Sequence, residues 1–205
     1  MGRDSGFFQQ LDELTLERAR RGDLGALESV YRAFEAPVFT LARRLCRTDE
    51  DASDVLQETF MEVVRSIRSF RGDGAFGAWL RRIAASKALM RLRRTRSRPE
   101  SGVLPEDLQE QRSREPKGCE HGTASWDHRL DLERALAHLT ETARAVVWLH
   151  DVEGLTHAEI GDLMGRTPSF SKSQLARAHA RLRLWLSLNQ GLNHASDDRR
   201  AAGLS

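Results

Sequence analysis

The chain has 205 residues, of which 40% are hydrophobic, and this is enough apolar material for one or two domains with packed cores. No stretch approaches the roughly 18 apolar residues of a membrane span, and the N-terminus lacks the basic start and apolar core of a secretion signal. The formal net charge is only +2, so any affinity for nucleic acid must come from basic residues that are segregated along the chain. We therefore expect a cytoplasmic protein with no membrane insertion.

The two cysteines, Cys46 and Cys119, lie far apart in the sequence, which argues against a disulfide framework and for a reducing compartment. Cys119 is followed by Glu120 and His121, but no second pair of Cys or His residues at a usual zinc spacing accompanies them. We therefore predict neither a metal site nor a cofactor.

The first part of the chain is predicted to be helical after a disordered start that extends to about Gln10. From Leu14, apolar residues recur at helical spacing, and Pro37 is predicted to interrupt the helix because proline removes a helix hydrogen bond. Val38 and Leu41 keep the same spacing, so a second helix is predicted to follow directly on the first.

The next segment, residues 48–64, is predicted to be an acidic amphipathic helix, with six acids and no base between Asp49 and Glu62. Its predicted buried stripe, at i, i+4, i+7 and i+11, consists of Leu56, Phe60, Val63 and Ile67. The residues that then lie on other faces are Asp51, Asp54, Gln57, Glu58 and Met61. Because no histidine stands beside the acids and the sequence gives no sign of a pocket, a solvated or protein-docking face is favoured over a metal or acid–base site.

A glycine-rich turn with several aromatic residues follows at residues 70–80, and the charge then reverses. Eight basic residues and no acid lie between Arg81 and Arg98, in a segment that keeps enough apolar residues to seat a helix. Such a helix suits a membrane surface, an acidic protein or nucleic acid. Exposed aromatic residues beside it would stack on unpaired bases.

Residues 97–127 contain three of the five prolines among Ser, Gly, Glu and Gln, which predicts a linker. Beyond the linker, apolar residues from Leu132 to Leu149 predict two further helices. The tail after Leu188 is polar and is expected to be loose.

The stretch that follows these two helices has the pattern of a helix-turn-helix. Thr156 and Glu159 predict a capping box at the start of one helix, and Gly165 suits its C-terminus. Thr167 is then the predicted N-cap of a second helix that has Pro168 at its first position. Two helices joined by a tight glycine turn are typical of this DNA-binding motif.

The second helix of the motif has one apolar and one basic side. The predicted packed side consists of Leu175, Ala178, Leu182, Trp185 and Leu186. The opposite side carries Ser169, Phe170, Ser173, Gln174, Arg177 and Arg181, and no acid occurs from Arg166 to Arg183. Such a side suits a polyanion, and Ser, Gln and Arg can bond base edges in a major groove. A helical hairpin with a solvated basic face is the alternative, but the basic segment upstream favours nucleic acid.

The order of acidic helix, aromatic turn, basic helix, linker and helix-turn-helix resembles the two-domain extracytoplasmic-function sigma factors of bacterial RNA polymerase. The segments that carry the resemblance are residues 51–60, 76–84 and 151–160, and it extends from about Asp23 to Leu186 except for the linker. It implies an all-α fold of two small helical domains joined by a flexible linker. The implied units are an N-terminal bundle at 14–96, the linker at 97–127 and a helix-turn-helix domain at 128–188.

The resemblance implies a role for each matching segment. The residues that match the helix docking on the clamp helices of the polymerase's largest subunit are Asp51, Asp54, Gln57, Glu58 and Met61. Those that match the part opening the minus-10 promoter element are Trp79, Arg82, Ser86, Lys87, Arg91, Arg93 and Arg94. Those that match the reader of the minus-35 element are Arg166, Thr167, Ser169, Phe170, Lys172, Ser173, Gln174, Arg177 and Arg181. The implied partners are core RNA polymerase, through its clamp helices and flap, promoter DNA and an anti-sigma factor.

Four positions depart from residues that are frequent in this family. Ser86 replaces Asn, Met90 replaces Asp, Gln174 replaces Arg, and Ser171 occupies an inward position that is usually aliphatic. None of these changes puts a proline or a charge into a core stripe, so the fold is expected to survive. Gln174 is expected to favour adenine, whereas arginine favours guanine.

A conventional helix-turn-helix regulator with an N-terminal dimerisation or sensing module is the main alternative, because it would also bind duplex DNA. An enzyme acting on nucleic acid is disfavoured, since the chain shows no acids clustered with histidine, no nucleophile constellation and no phosphate-binding glycine loop. We therefore predict a transcription initiation subunit without catalytic residues.

Overall fold

The computed structural model describes residues 6–70, 75–96 and 134–201, and every regular element within these ranges is a helix. The all-α prediction is therefore confirmed. The predicted linker, with Cys119 and His121, lies outside the described residues, as do Gly72 and Gly74 of the aromatic turn. None of the described helices is long and apolar enough to cross a membrane.

Two helices, α1 (Glu13–Arg20) and α2 (Leu24–Leu45), form the start of the N-terminal unit. The chain turns between them at Gly22, whose φ of 88° favours glycine, and the Asp23 carboxylate accepts a hydrogen bond from the Ala26 backbone at 2.9 Å. The predicted interruption at Pro37 is wrong, because α2 continues through it. Proline removes one backbone hydrogen bond, but the burial of Phe34 and Val38 on either side holds the helix together.

The acidic segment forms α3 (Asp49–Ser66), which a 3₁₀ turn at Ile67–Ser69 extends. Its buried residues are Ala52, Val55, Thr59 and Val63. The predicted burial of Val63 and Ile67 is confirmed, but that of Leu56 and Phe60 is wrong, because both are only half-buried. The stripe made of smaller residues faces the core, because alanine, valine and threonine allow neighbouring helices to approach closely.

The basic segment forms α4 (Phe76–Arg96), which packs between α2 and α3 through a stripe rich in small residues. Phe7 is buried against Phe34, and a Cβ atom placed on Gly77 would lie 1.8 Å from the Phe7 carbonyl oxygen. The prediction of disorder up to about Gln10 is therefore wrong at Phe7. Phe70 and Phe76, two of the aromatic residues beside α4, are buried and therefore do not offer their rings to unpaired bases in this structure.

The C-terminal unit begins with a helical turn at 134–137 and continues with α5 (Glu141–Val147) and a π-helical turn at Trp148–Val152. The helix-turn-helix follows as α6 (His157–Met164) and α7 (Pro168–Ala201). Its predicted capping box is present, and Gly165 ends α6 with a φ of 63°. Helix α7 continues well beyond Leu188, so the expected loose tail is helical as far as Ala201.

The two units pack directly against each other. The Arg47 guanidinium lies 2.6 Å from the Glu141 carboxylate, and these side chains are only 16% and 17% exposed. The Arg44 guanidinium lies 5.0 Å from the centre of the Trp148 ring. The apolar cores of both units join into one cluster, in which α5 contacts α2 and the first helix of the helix-turn-helix, α6, contacts α4.

Candidate docking groove and nucleic-acid interface

An open groove of about 620 Å³ runs along the outer side of α3 where it meets α2. Its lining consists of Tyr31, Ser53, Leu56, Gln57, Phe60, Met61, Val64 and Arg65. Most of this lining is apolar, and Met61 and Val64 remain 47% and 55% exposed. A contiguous exposed apolar surface on a monomer is typical of an interaction site.

The groove was not predicted, because no sign of a pocket was recognised in the sequence. Leu56, Phe60 and Val64 follow one another at i, i+4 and i+8, so α3 has a second apolar stripe beside the buried one. The Phe60 ring packs on the Tyr31 ring of α2 with centroids 4.7 Å apart, which supports one wall of the groove. A helix with two apolar stripes is the signal that could have revealed it.

The predicted polymerase-binding residues fall into two groups on α3. Gln57 and Met61 line the groove, and Glu58 is half-buried one residue after Gln57. Asp51 and Asp54 instead bind Arg91 of α4, with carboxylate oxygens 2.6 Å and 2.7 Å from its guanidinium nitrogens. Asp51 therefore holds α4 in place.

Several residues of α4 that were predicted to bind DNA make contacts inside the protein. The Asp51 hydrogen bond raises the pKa of Arg91, so this guanidinium stays charged within its pair. Lys87 lies 3.1 Å from the Glu62 carboxylate, which ties α4 to α3 a second time. Trp79 is half-buried, and its ring centre lies 5.4 Å from that of Phe70. These residues hold the N-terminal unit together.

The side of α4 that faces the helix-turn-helix carries arginines that contact it. Arg81 donates to the backbone carbonyl of Glu153, and Arg93 donates to the Leu163 carbonyl at 2.5 Å. Arg82 lies 3.8 Å from the carboxylate of Glu159. Hydrogen bonds from Thr156 lower the pKa of the Glu159 carboxyl, and the charges of Arg82 and Arg81 lower it further, so Glu159 is anionic at neutral pH. Arg94 is exposed, and Ser86 is half-buried.

The outer side of α7 presents most of its predicted DNA-binding residues to solvent. The exposed members are Arg166, Thr167, Ser169, Lys172, Ser173 and Arg177, and the half-buried members are Phe170, Gln174 and Arg181. The Thr167 hydroxyl accepts a hydrogen bond from the Phe170 backbone at 3.2 Å, so this threonine caps the helix as predicted. The Arg166 guanidinium lies 5.7 Å from the centre of the Phe170 ring, at the N-terminal end of α7.

The inner side of α7 packs on α5 and α6. Leu175 and Ala178 are buried as predicted, while Leu182, Trp185 and Leu186 are half-buried. With these residues against the domain, a basic face free of acids projects outward over about four helical turns. This arrangement can bind phosphates and present polar side chains to base edges.

Within the described ranges, no three His, Cys, Asp or Glu side chains lie close enough together to hold a metal ion. Cys46 is buried, and burial raises the pKa of its thiol to about 11. A thiol with so high a pKa is unreactive at neutral pH.

Comparison with known proteins assigns each unit to a protein family. The Sigma-70 region 2 family matches residues 30–98, and the Sigma-70 region 4 family matches residues 129–182. The ECF RNA polymerase sigma factor SigM of Mycobacterium tuberculosis is 35% identical over 173 residues, which cover 84% of this chain and 83% of SigM. The ECF RNA polymerase sigma factor SigE of Mycolicibacterium smegmatis is 34% identical over 186 residues, covering 88% and 68% of the two chains.

A solved structure has a similar helical fold. The sigma factor RpoE from Bartonella quintana, in complex with the anti-sigma factor NepR, superposes with a TM-score of 0.54 and 23% sequence identity. The match covers 78% of this chain and 96% of RpoE. It supports the two-unit helical fold described above.

Proposed function

The chain belongs to the extracytoplasmic-function family of RNA polymerase sigma factors, and from this premise we propose which of its surfaces serve each step of initiation. As a member of this family it binds core RNA polymerase, recognises promoter DNA and directs transcription initiation. Sigma factors are non-enzymatic initiation factors, and we propose that this chain likewise contributes binding alone while the polymerase supplies the catalysis.

We propose that the groove on α3 is the surface that docks on the clamp helices of the polymerase. The observation that carries this proposal is the exposed apolar lining, with Gln57, Glu58 and Met61 along one side of α3. A helix laid into such a groove buries apolar surface, and the polar residues at its edge set the register. Asp54 can reach a partner with its half-exposed side chain, while Asp51 acts indirectly by fixing α4 through Arg91.

We propose that α7 reads the minus-35 element in the major groove and that α4 meets the minus-10 element. The acid-free outer side of α7 supports the first assignment. The second requires Arg82 and Arg93 to leave the helix-turn-helix, because both lie against it in this structure. Separation of the two units is therefore part of the proposal. An anti-sigma factor of the kind that holds RpoE is a further partner that we propose for this chain.

The identity of residue 174 should decide one base of the upstream promoter element. Wild-type protein and the Gln174→Arg variant are each assembled with core polymerase and used to select duplexes from a randomised promoter library. We expect the wild type to enrich two separated elements, with adenine at the position that Gln174 reads, and the variant to enrich guanine there. The discrimination for one such pair is about 1–3 kcal/mol.

The downstream element serves as the internal control, because Gln174 lies on α7 and α4 is unchanged in the variant. If both holoenzymes select the same bases throughout, Gln174 does not read DNA. If neither selects any promoter-like sequence while the free protein binds duplex DNA, the assignment of promoter recognition to these surfaces fails.

A further inference from the structure

Three histidines, an aspartate and a serine meet where the π-helical turn, α6 and α7 converge. The rings of His150 and His157 stack with centroids 4.4 Å apart and an angle of 18° between their planes. His157 Nδ1 lies 3.0 Å from the Ser171 hydroxyl of α7. Asp151 contacts His150 Nδ1 at 2.9 Å and His179 Nε2, also on α7, at 2.6 Å. The cluster therefore attaches α7 to the rest of its domain at two points.

Ser171 is the unusual member of this cluster because it is completely buried on the inner side of α7. A buried hydroxyl without a hydrogen-bond partner is costly, and His157 supplies that partner. The bond lies within the first turn of α7, next to Lys172 and Ser173, which are exposed on the predicted DNA-binding side. The position of this first turn thus depends on a titratable side chain.

The surroundings of His157 disfavour a positive charge on its ring. Burial lowers the pKa of His157, and the neighbouring His150 and Lys172 lower it further, while Asp151 acts in the opposite direction. From α4, Arg81 and Arg82 are directed to Glu153 and Glu159. Proton uptake therefore works against the packed arrangement of the stacked rings.

The second attachment of α7 does not involve His157. His179 Nε2 lies 2.6 Å from the Asp151 carboxylate and joins α7 to the π-helical turn. Proton uptake by His157 should thus loosen α7 at Ser171, about two turns before this second attachment. The loosened end is the one that carries the side chains aimed at base edges.

We propose that His157 positions the first turn of α7 through Ser171, and that protonation of His157 beside the stacked His150 ring releases this turn, so that specific duplex binding weakens in acid. The proposal rests on the role of α7 as the minus-35 reader. Acid normally strengthens binding to DNA because it makes a protein more positive. A loss of affinity in acid would therefore oppose the general electrostatic trend.

The test measures binding of the full-length chain to a duplex that carries its selected upstream element, between about pH 7.5 and pH 5.5, the range in which histidine titrates. We expect wild-type affinity to fall by about threefold to tenfold across this range, the size of effect expected when one neutral hydrogen bond is lost. His157→Asn retains a polar group near the Nδ1 position but takes up no proton, so it should keep the neutral-pH affinity and lose the pH dependence. His157→Leu should bind weakly at every pH.

His138→Asn is the matched control, because His138 contacts Trp185 outside the cluster and its replacement should leave the wild-type pH profile unchanged. Thermal unfolding adds a second readout. Because the pKa of His157 is lowered in the folded state, its stabilisation is complete above the ordinary pKa of about 6.5 and is lost as the pH falls through the lowered pKa. The unfolding temperature of the wild type should therefore fall more in acid than that of His157→Asn.

The proposal is overturned if wild-type affinity is flat or rises in acid, or if His157→Asn retains the full loss. Absence of specific duplex binding at every pH is a different result, because it contradicts the assignment of α7 as the promoter reader.

Discussion

Replacing Met61 by glutamate should lower the affinity of the chain for core RNA polymerase by about a hundredfold, the effect expected when a central interface contact is lost. Met61 lies at the edge of the apolar groove with 47% of its surface exposed, so the carboxylate is solvated in the free protein. When a partner covers the groove, the carboxylate loses its water and gains no cation of its own. Competition for labelled core polymerase measures the change in affinity.

Leu14→Glu is the matched control for Met61→Glu. Leu14 is 67% exposed on α1, which contributes no residue to the groove, so this variant introduces the same charge at an exposed apolar position elsewhere. It should bind polymerase as the wild type does, and both variants should have wild-type unfolding temperatures. Equal losses in the two variants, or full binding by Met61→Glu, would contradict docking at the groove.

Reversing two charges on α7, as Lys172→Glu with Arg177→Glu, should weaken binding to promoter duplex by about a hundredfold at moderate salt. Both side chains are exposed on the acid-free side of the helix. Each phosphate contact that is lost should make the slope of log affinity against log salt concentration shallower by about one unit. The double variant should therefore show a salt slope that is shallower by about two units. Fluorescence anisotropy over a series of salt concentrations measures both quantities.

Arg183→Glu tests whether the position of the charge matters, since Arg183 is exposed on the same helix beyond the predicted DNA-binding residues. This control should lose little affinity, and polymerase binding should be unchanged in both proteins because the groove lies on α3. If Arg183→Glu lost as much affinity for promoter duplex as the double variant, α7 would bind DNA through its general charge and would not read the base sequence.

Features that depend on neighbouring residues could be predicted from the sequence. The capping box at Thr156 and Glu159, the left-handed Gly165 and the Thr167 cap each depend on side chains within four positions of the backbone group that they satisfy. The helix-turn-helix was therefore located correctly from its residues alone.

Features that depend on distant residues could not be predicted. Helix α3 has two apolar stripes, and only the packing of α2 and α4 determines that Val55 and Thr59 face the core while Leu56 and Phe60 line the groove. The acids of α3 and the bases of α4 read as two separate surfaces, yet Arg91 joins them across 40 positions of sequence. Ion pairs between helices leave no local pattern.

The two wrong predictions near the N-terminus have the same cause. Pro37 lacks one hydrogen-bond donor, and the local penalty is smaller than the gain from burying the residues around it in α2. Phe7 has no helical pattern around it, but its ring fills a place beside Phe34 that exists only after the helices have assembled. In both cases tertiary packing outweighs local preference.

Run-off transcription with purified core RNA polymerase on a pooled promoter library tests the central claim most directly. We expect transcripts that begin at defined sites only when the wild-type chain is present, and no such transcripts when Met61→Glu replaces it at the same concentration. Defined transcripts should persist with Leu14→Glu. An absence of specific transcripts with the wild-type chain, together with duplex binding but no co-elution with polymerase, would contradict the account and support a conventional helix-turn-helix regulator.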